Sequence, residues 1–128
     1  MNELCAPAMH LQKSHELLEV HKLEFEFGLF ACENREVPLS LQWDYPMMWA
    51  PLVYFAHEAL LKNNMKVEAK RIANKFMNTV RRNFEKDGCL SEKYNVENGG
   101  IGNTRDSEAH PMLGWTGGVY SYLFDLYN

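Results

Sequence analysis

The chain has 128 residues, of which 46% are hydrophobic and 23% are charged. This length and composition are typical of one folded domain, or of a piece of a larger one, and argue against intrinsic disorder. The formal net charge is −4 and the sequence has no basic stripe, so we expect no nucleic-acid partner. No apolar run approaches the ~18 residues that span a bilayer, so we expect no membrane partner either.

The cysteines predict a reducing environment. Cys5, Cys32 and Cys89 are odd in number and form no CxxC pair, which favours free thiols. The first residues also lack the charged start and apolar stretch of a signal peptide. Together these features predict a cytoplasmic protein.

The first half of the chain predicts one helix and then a less regular segment. Apolar residues recur at helical steps over residues 11–22. Residues 23–29 instead alternate between apolar and polar, which is the period of a strand, and both a longer helix and a short strand remain open there. Residues 31–47 contain two prolines and are predicted to form a long loop.

Three further helices are predicted, over residues 48–63, over 65–85, and from Trp115 or Gly118 to Tyr127. Pro51 fits only the first turn of its helix. The helix over 65–85 has the clearest 3.6-residue period, and the Asp87-Gly88 pair supplies its end.

A Gly- and Asn-rich loop is predicted over residues 88–113, between the last two helices. Loops of this length are usually functional or disordered. We therefore expect an all-α protein of four to five helices, with long loops that suit a toroid of helical hairpins better than a simple bundle. The cationic cluster of Arg71, Arg81 and Arg82 is expected to form a solvated face.

The string Gln42-Trp43-Asp44-Tyr45-Pro46 carries side chains suited to sugar binding. Gln42 and Asp44 could hydrogen-bond to hydroxyl groups, and Trp43 could stack on a sugar ring. The alternative is a turn aspartate followed by tryptophans that pack in the core.

The string Ser91-Glu92-Lys93-Tyr94-Asn95 places a carboxylate at the start of the Gly-rich loop. Glu92 could act as a general base that holds a water molecule, with help from the charge of Lys93 or a hydrogen bond from Tyr94. The alternative is an exposed carboxylate in a turn.

The remaining polar motifs lie in the second half of the chain. The glycines of residues 99–102 permit close approach of the backbone to a ligand, and Asp106 and Glu108 are candidate acceptors for sugar hydroxyls. Ordinary loop solvation is the alternative. Trp115, beside three glycines, is either an aromatic wall of a pocket or a core residue. None of the five histidines forms an HxxxH pair, so we expect no metal site and no cofactor.

Together these motifs resemble the trehalase family, glycoside hydrolase family 37. The resemblance is ordered and covers roughly residues 40–125. It rests on the strings Gln42-Trp43-Asp44-Tyr45-Pro46-Met47-Met48-Trp49-Ala50-Pro51, Glu92-Lys93-Tyr94-Asn95 and Gly114-Trp115-Thr116-Gly117-Gly118-Val119.

The resemblance implies an (α/α)6 barrel and the inverting hydrolysis of an α-glucosidic bond, as in the conversion of trehalose to glucose. It assigns the general base to Glu92. It also implies that the substrate contacts Gln42, Trp43, Asp44 and Trp115. The family's sugar-binding glutamate follows a longer glycine run, which this sequence lacks, and Asp106 and then Glu108 are the approximate equivalents.

The family's general acid lies upstream, in a motif around ESGWDFS that is absent from this sequence. Residues 1–128 are therefore expected to be the C-terminal portion of a catalytic domain that works with the N-terminal half of the barrel. Two other functions remain open. One is an oligosaccharide α-glucosidase of glycoside hydrolase family 63, and the other is a non-catalytic helical module that binds a sugar or a partner.

Overall fold

The computed structural model describes residues 23–32, 41–104, 107–111 and 114–128. The helix expected over residues 11–22 lies outside these ranges, as does part of the predicted loop over residues 31–47. In the described ranges the chain forms three helices and four short strands. None of these helices is long and apolar enough to cross a bilayer.

The strands form two antiparallel pairs. Strand β1 (Glu24–Phe25) pairs with β2 (Gly28–Leu29), and β3 (Met47–Trp49) pairs with β4 (Lys93–Asn95). The alternating segment at residues 23–29 is thus a hairpin, so the strand alternative was correct. The all-α expectation was too simple, because the segments that flank the helices contain short strands whose backbone N–H and C=O groups hydrogen-bond to each other.

Helix α1 spans Ala50–Lys62 and places Pro51 in its first turn, as predicted. It begins two residues later than expected because Met48 and Trp49 pair with β4. Asn63 ends the helix, and its backbone N–H donates to the carbonyl groups of Ala59 and Leu60.

Helix α2 spans Lys66–Asp87 and provides much of the core. Gly88, with φ 74°, forms its C-cap, as the Asp87-Gly88 pair predicted. The predicted apolar stripe is buried as far as Val80, whereas Phe84 is 47% exposed. The core therefore ends one turn before the helix does.

The arginine cluster does not form a purely solvated face. Arg71 donates to both carboxylate oxygens of Glu24 at 2.9 and 2.8 Å, and Lys75 lies 2.8 Å from the same group. Burial of Glu24 opposes its ionisation, but these cations outweigh burial and lower its pKa. Arg82 donates to the carbonyl of Gly99 at 2.9 Å. These contacts tether the β1–β2 hairpin and the Gly-rich loop to α2.

Helix α3 spans Trp115–Tyr127, from the earlier of its two predicted starts, and packs against both other helices. His57 of α1 is fully buried, and its Nε2 lies 2.7 Å from the hydroxyl of Tyr127. Burial lowers the pKa of His57. Tyr122 donates to the carboxylate of Glu58 at 2.7 Å, so polar bonds as well as apolar packing hold α3 against α1.

The long loop that follows α2 is more ordered than its composition suggests. It contains β4, a bridge between Ser91 and Pro111, and a bridge between Tyr94 and Ile101. The Gly-rich segment thus lies beside β4 and adds a further backbone pairing to it.

Candidate functional site

The pairing of β3 with β4 brings two of the sequence motifs together. Its register places Met48 opposite Tyr94 and Trp49 opposite Lys93. Because successive side chains on a strand point to opposite faces, the two pairs lie on opposite sides of the sheet. Met48 and Tyr94 belong to the main core. Trp49 and Lys93 are buried on the other face of the sheet and form the base of the candidate site.

Tyr94 is consequently a core residue. It is 1% exposed, and its hydroxyl accepts a hydrogen bond from the backbone N–H of Ser91 at 3.0 Å. Burial raises the pKa of Tyr94. Of the two helpers predicted for Glu92, the structure therefore brings only Lys93 to its carboxylate.

Lys93 is a fully buried cation with three nearby partners. Its Nζ lies 2.9 Å from Oε1 of Glu92 and 2.8 Å from Oγ of Ser107. The same atom lies 5.3 Å from the centroid of the Trp49 ring. A buried charge is costly unless it is paired and hydrogen-bonded, and these three contacts meet that requirement.

Glu92 lies at the edge of this arrangement. Its side chain is 12% exposed, and its backbone N–H donates to the carbonyl of His110 at 2.9 Å. Lys93 holds Oε1, and within the described part of the chain no hydrogen bond or ion pair reaches Oε2. A carboxylate with one fixed and one available oxygen can accept a proton from a water molecule.

The chain's three tryptophans meet beside this ion pair. Trp43 stacks on Trp49, with ring centroids 3.9 Å apart and planes 11° apart. Trp115 makes a T-shaped contact with Trp49, with ring centroids 5.7 Å apart. Trp49 is buried, whereas Trp43 and Trp115 are 41% and 38% exposed. The two outer rings offer an aromatic surface on which a sugar could stack.

Gln42 and Asp44 lie in the turn that leads to β3. Gln42 is exposed, and its backbone carbonyl accepts a hydrogen bond from Nε1 of Trp49 at 2.8 Å. Asp44 is 8% exposed, and its Oδ2 accepts from the backbone N–H of Leu41 at 3.2 Å. Both residues thus help to build the turn, and their contact with a sugar stays a prediction.

The Gly-rich loop packs tightly on β4. Gly102 donates to the carbonyl of Lys93 at 3.0 Å, and Asn95 donates to the carbonyl of Gly100 at 2.9 Å. A Cβ at position 102 would lie 2.8 Å from Sδ of Met47 and 2.9 Å from Cγ of Lys93. Glycine at this position therefore lets the loop approach the site lysine.

The loop's acidic candidates are less well defined than Glu92. Asp106 lies outside the described residues, and Glu108 is exposed. Ser107, between them, was not predicted as a site residue, although it contacts Lys93. One serine in a polar loop carries no sequence signal that would have identified it.

The third motif is joined to the second at the start of α3. Thr116 donates to the carbonyl of Ser91 at 2.9 Å, and both residues are buried. This bond connects the residue after Trp115 to the residue before Glu92. The three motifs that carry the family resemblance therefore lie together at one site.

A family model named Trehalase matches residues 4–128. The putative periplasmic trehalase of Escherichia coli O157:H7 and the periplasmic trehalase of Escherichia coli K12/DH10B are each 35% identical over 88 residues, or 66% of this chain. The neutral trehalase Nth1 from Saccharomyces cerevisiae is 28% identical over 88% of this chain, with a TM-score of 0.67. The chain spans only 15% of the length of the bacterial relatives and 20% of the yeast structure.

These comparisons correct the expected localisation. The bacterial relatives are named periplasmic, which contradicts the prediction of a cytoplasmic protein. The expectation of free thiols was also wrong for Cys32, which is disulfide-bonded, whereas Cys89 is free. The odd cysteine count misled, because a disulfide and a free thiol can occur in one chain and disulfides are typical of oxidising compartments.

Proposed function

The chain belongs to the trehalase family, and we propose that the complete protein hydrolyses trehalose to glucose with Glu92 as its general base. The observation that supports this role best is the Glu92–Lys93 ion pair beside the three tryptophans. It joins a fixed, nearly buried carboxylate to an aromatic surface that suits a sugar ring.

The proposed reaction is an inverting hydrolysis. Glu92 takes a proton from a water molecule as the water oxygen bonds to the anomeric carbon, and the glycosidic C–O bond breaks. A general acid on the opposite side of the sugar protonates the departing oxygen. In inverting enzymes the two carboxyl groups stand about 6.5–9.5 Å apart, which leaves room for the water.

Residues 1–128 are proposed to be the C-terminal portion of an (α/α)6 catalytic domain. The likeness to one fifth of the yeast trehalase structure supports this division. The N-terminal portion would supply the general acid.

The described surface also has a groove of about 400 Å³, but hairpin and α2 residues such as Phe27, Thr79 and Arg82 line it, and none of the proposed site residues does.

The residues proposed to bind the substrate come from the tryptophan-containing motifs and from the Gly-rich loop. Trp43 and Trp115 would stack on glucose, and Glu108 would accept hydrogen bonds from its hydroxyls. The other members of the proposed group are Gln42, Asp44 and Asp106.

We place the complete protein in an oxidising compartment such as the periplasm. The names of the bacterial relatives and the disulfide at Cys32 support this placement.

The experiment is a substrate panel assayed with the complete protein. Trehalose should be hydrolysed, and NMR of the first products should show equal amounts of α- and β-glucose, because only the attacked anomeric centre inverts. Hydrolysis restricted to longer α-glucosides would favour the family 63 activity instead. Sugar binding without turnover of any substrate would overturn the enzyme proposal in favour of a binding module.

A further inference from the structure

We propose that Lys93 is a positioning residue that holds Oε1 of Glu92 and thereby directs Oε2 at the attacking water; this inference rests on the proposed role of Glu92. Consecutive side chains on a strand normally point to opposite faces. The side chains of Glu92 and Lys93 nevertheless meet at 2.9 Å, because the backbone bends at Glu92, immediately before β4 begins. The bend thus allows neighbouring residues to form the pair.

The ammonium group of Lys93 is fixed from several directions. Ser107 accepts one of its three N–H bonds at 2.8 Å, and Glu92 accepts another. The face of Trp49 lies beneath the ammonium at 5.3 Å. A lysine side chain normally has many rotamers, but burial at 0% exposure and these contacts leave this one little freedom.

The stem of Lys93 is fixed as well. Its backbone pairs with Trp49 across the β3–β4 sheet, and its carbonyl accepts a hydrogen bond from Gly102. Because residue 102 has no Cβ, the loop lies directly against Cγ of Lys93. The lysine is therefore anchored at both its backbone and its charged end.

A rigid donor on one carboxylate oxygen limits rotation of the carboxyl group. With Oε1 held by Lys93, the plane of the carboxylate and the direction of Oε2 are set before the substrate arrives. Such preorganisation matters because a misplacement of about 1 Å can reduce catalysis about 10²-fold. Trp49 and Ser107 thus position Lys93, and Lys93 in turn positions Glu92.

The test compares Lys93→Met with wild type in the complete protein. Methionine retains the apolar stem but cannot donate a hydrogen bond, so kcat on trehalose should fall about 10²-fold with KM changed little. Lys86→Met, an exposed lysine of α2, is the matched control and should retain full activity.

Assays with α-glucosyl fluoride as substrate, and with azide as nucleophile, test whether the loss of activity lies in the activation of the attacking water. α-Glucosyl fluoride needs no proton from a general acid, so Lys93→Met should lose the same factor on it as on trehalose. Azide carries no proton to remove, so it should displace fluoride and restore turnover, as β-glucosyl azide, in Glu92→Ala, whose small neutral side chain leaves room for the anion. Lys93→Met retains the Glu92 carboxylate, which repels azide, so this variant should not be rescued. A loss in Lys93→Met on trehalose that is absent on α-glucosyl fluoride would overturn the positioning role, because it would place the effect of Lys93 on the general acid.

The outcomes also separate this inference from the proposed function. An inactive Glu92→Gln with an unimpaired Lys93→Met would overturn the role of Lys93 and leave the base assignment intact. Full activity of Glu92→Gln would overturn both. If Lys93→Met fails to fold, Ser107→Ala decides, because it retains the ion pair but removes one holder of the ammonium. A reduced kcat supports the proposal, and a kcat equal to that of the exposed Ser121→Ala control overturns it.

Discussion

At the site, the sequence identified the key residues but not the contacts that they make. Glu92 and its neighbouring lysine were identified from the motif, and the structure places the two in direct contact. Neither the full burial of Lys93 nor its contact with Ser107 was predicted. The burial of Lys93 and its contact with Ser107 depend on the backbone bend at Glu92 and on the position of a loop residue fourteen residues away. Neither the bend nor the loop position has a local sequence signal.

A second polar cluster, at the α1–α3 interface, leads to a stability prediction for Tyr122→Phe. The bond from Tyr122 to Glu58 lowers the pKa of Glu58 and raises that of Tyr122 to about 12. Tyr122 is 40% exposed, so its loss should cost only about 0.5–1 kcal/mol at neutral pH, after allowance for solvent screening. The melting temperature should fall slightly.

The pH dependence of that loss follows from the lowered pKa of Glu58. A carboxyl group with a lowered folded-state pKa stabilises the fold above its ordinary value of 4.5 and loses this effect as the pH falls through the folded-state value. The difference in melting temperature between wild type and Tyr122→Phe should therefore shrink below that pH. Tyr120→Phe is the control, and a pH-independent difference for Tyr122→Phe would contradict the account.

At the scale of elements, the helices were much easier to predict than the strands. The ends of α1 and α2 follow from Pro51, Asn63 and Gly88, whose backbone preferences act locally. Strands β3 and β4 have three residues each, which is too few for a periodic pattern. Their pairing depends on contacts 46 residues apart in sequence, from Met48 to Tyr94. The β3–β4 pair, which brings the site residues together, was thus the hardest feature to predict from the sequence.

The contact of the Gly-rich loop with β4 predicts a specific effect of Gly102→Ala. The added methyl group would lie within 3 Å of Met47 and Lys93, so the loop must shift, at a cost of about 1–3 kcal/mol. Because Lys93 is displaced, kcat should fall together with the melting temperature. Thermal unfolding and steady-state kinetics of the complete protein measure both.

Gly118→Ala is the matched control for this substitution. A Cβ at position 118 meets nothing within 4 Å, and the residue lies inside α3. Alanine should therefore be neutral or should stabilise the helix by about 0.5–1 kcal/mol. Equal effects of the two substitutions would show that the tight contact at Gly102 is unimportant.

On the scale of the whole molecule, the family was recognisable from three motifs, whereas the proposed general acid was not found in the sequence. The chain spans 15% of its bacterial relatives, and the resemblance assigns the general acid to a motif that this sequence lacks. Large apolar side chains, including Phe55, Phe124 and Leu126, are also nearly half exposed. Both facts fit a portion of a larger catalytic domain.

The isolated 128-residue chain should therefore hydrolyse neither trehalose nor other α-glucosides. The complete protein, or the chain combined with the proposed N-terminal portion, should be active, because the proposed general acid would then face Glu92. A glucose-release assay with both preparations at equal concentration measures this. Turnover by the chain alone would show that the acid lies within these 128 residues.

The most direct measurement of the central claim is kcat of Glu92→Gln in the complete protein on trehalose. Glutamine retains the shape of the side chain but cannot accept the proton of the attacking water, so kcat should fall about 10²–10⁴-fold with little change in KM. Glu85→Gln, an exposed glutamate of α2, should behave like wild type. Wild-type kcat in Glu92→Gln would contradict the assignment of Glu92 as the general base.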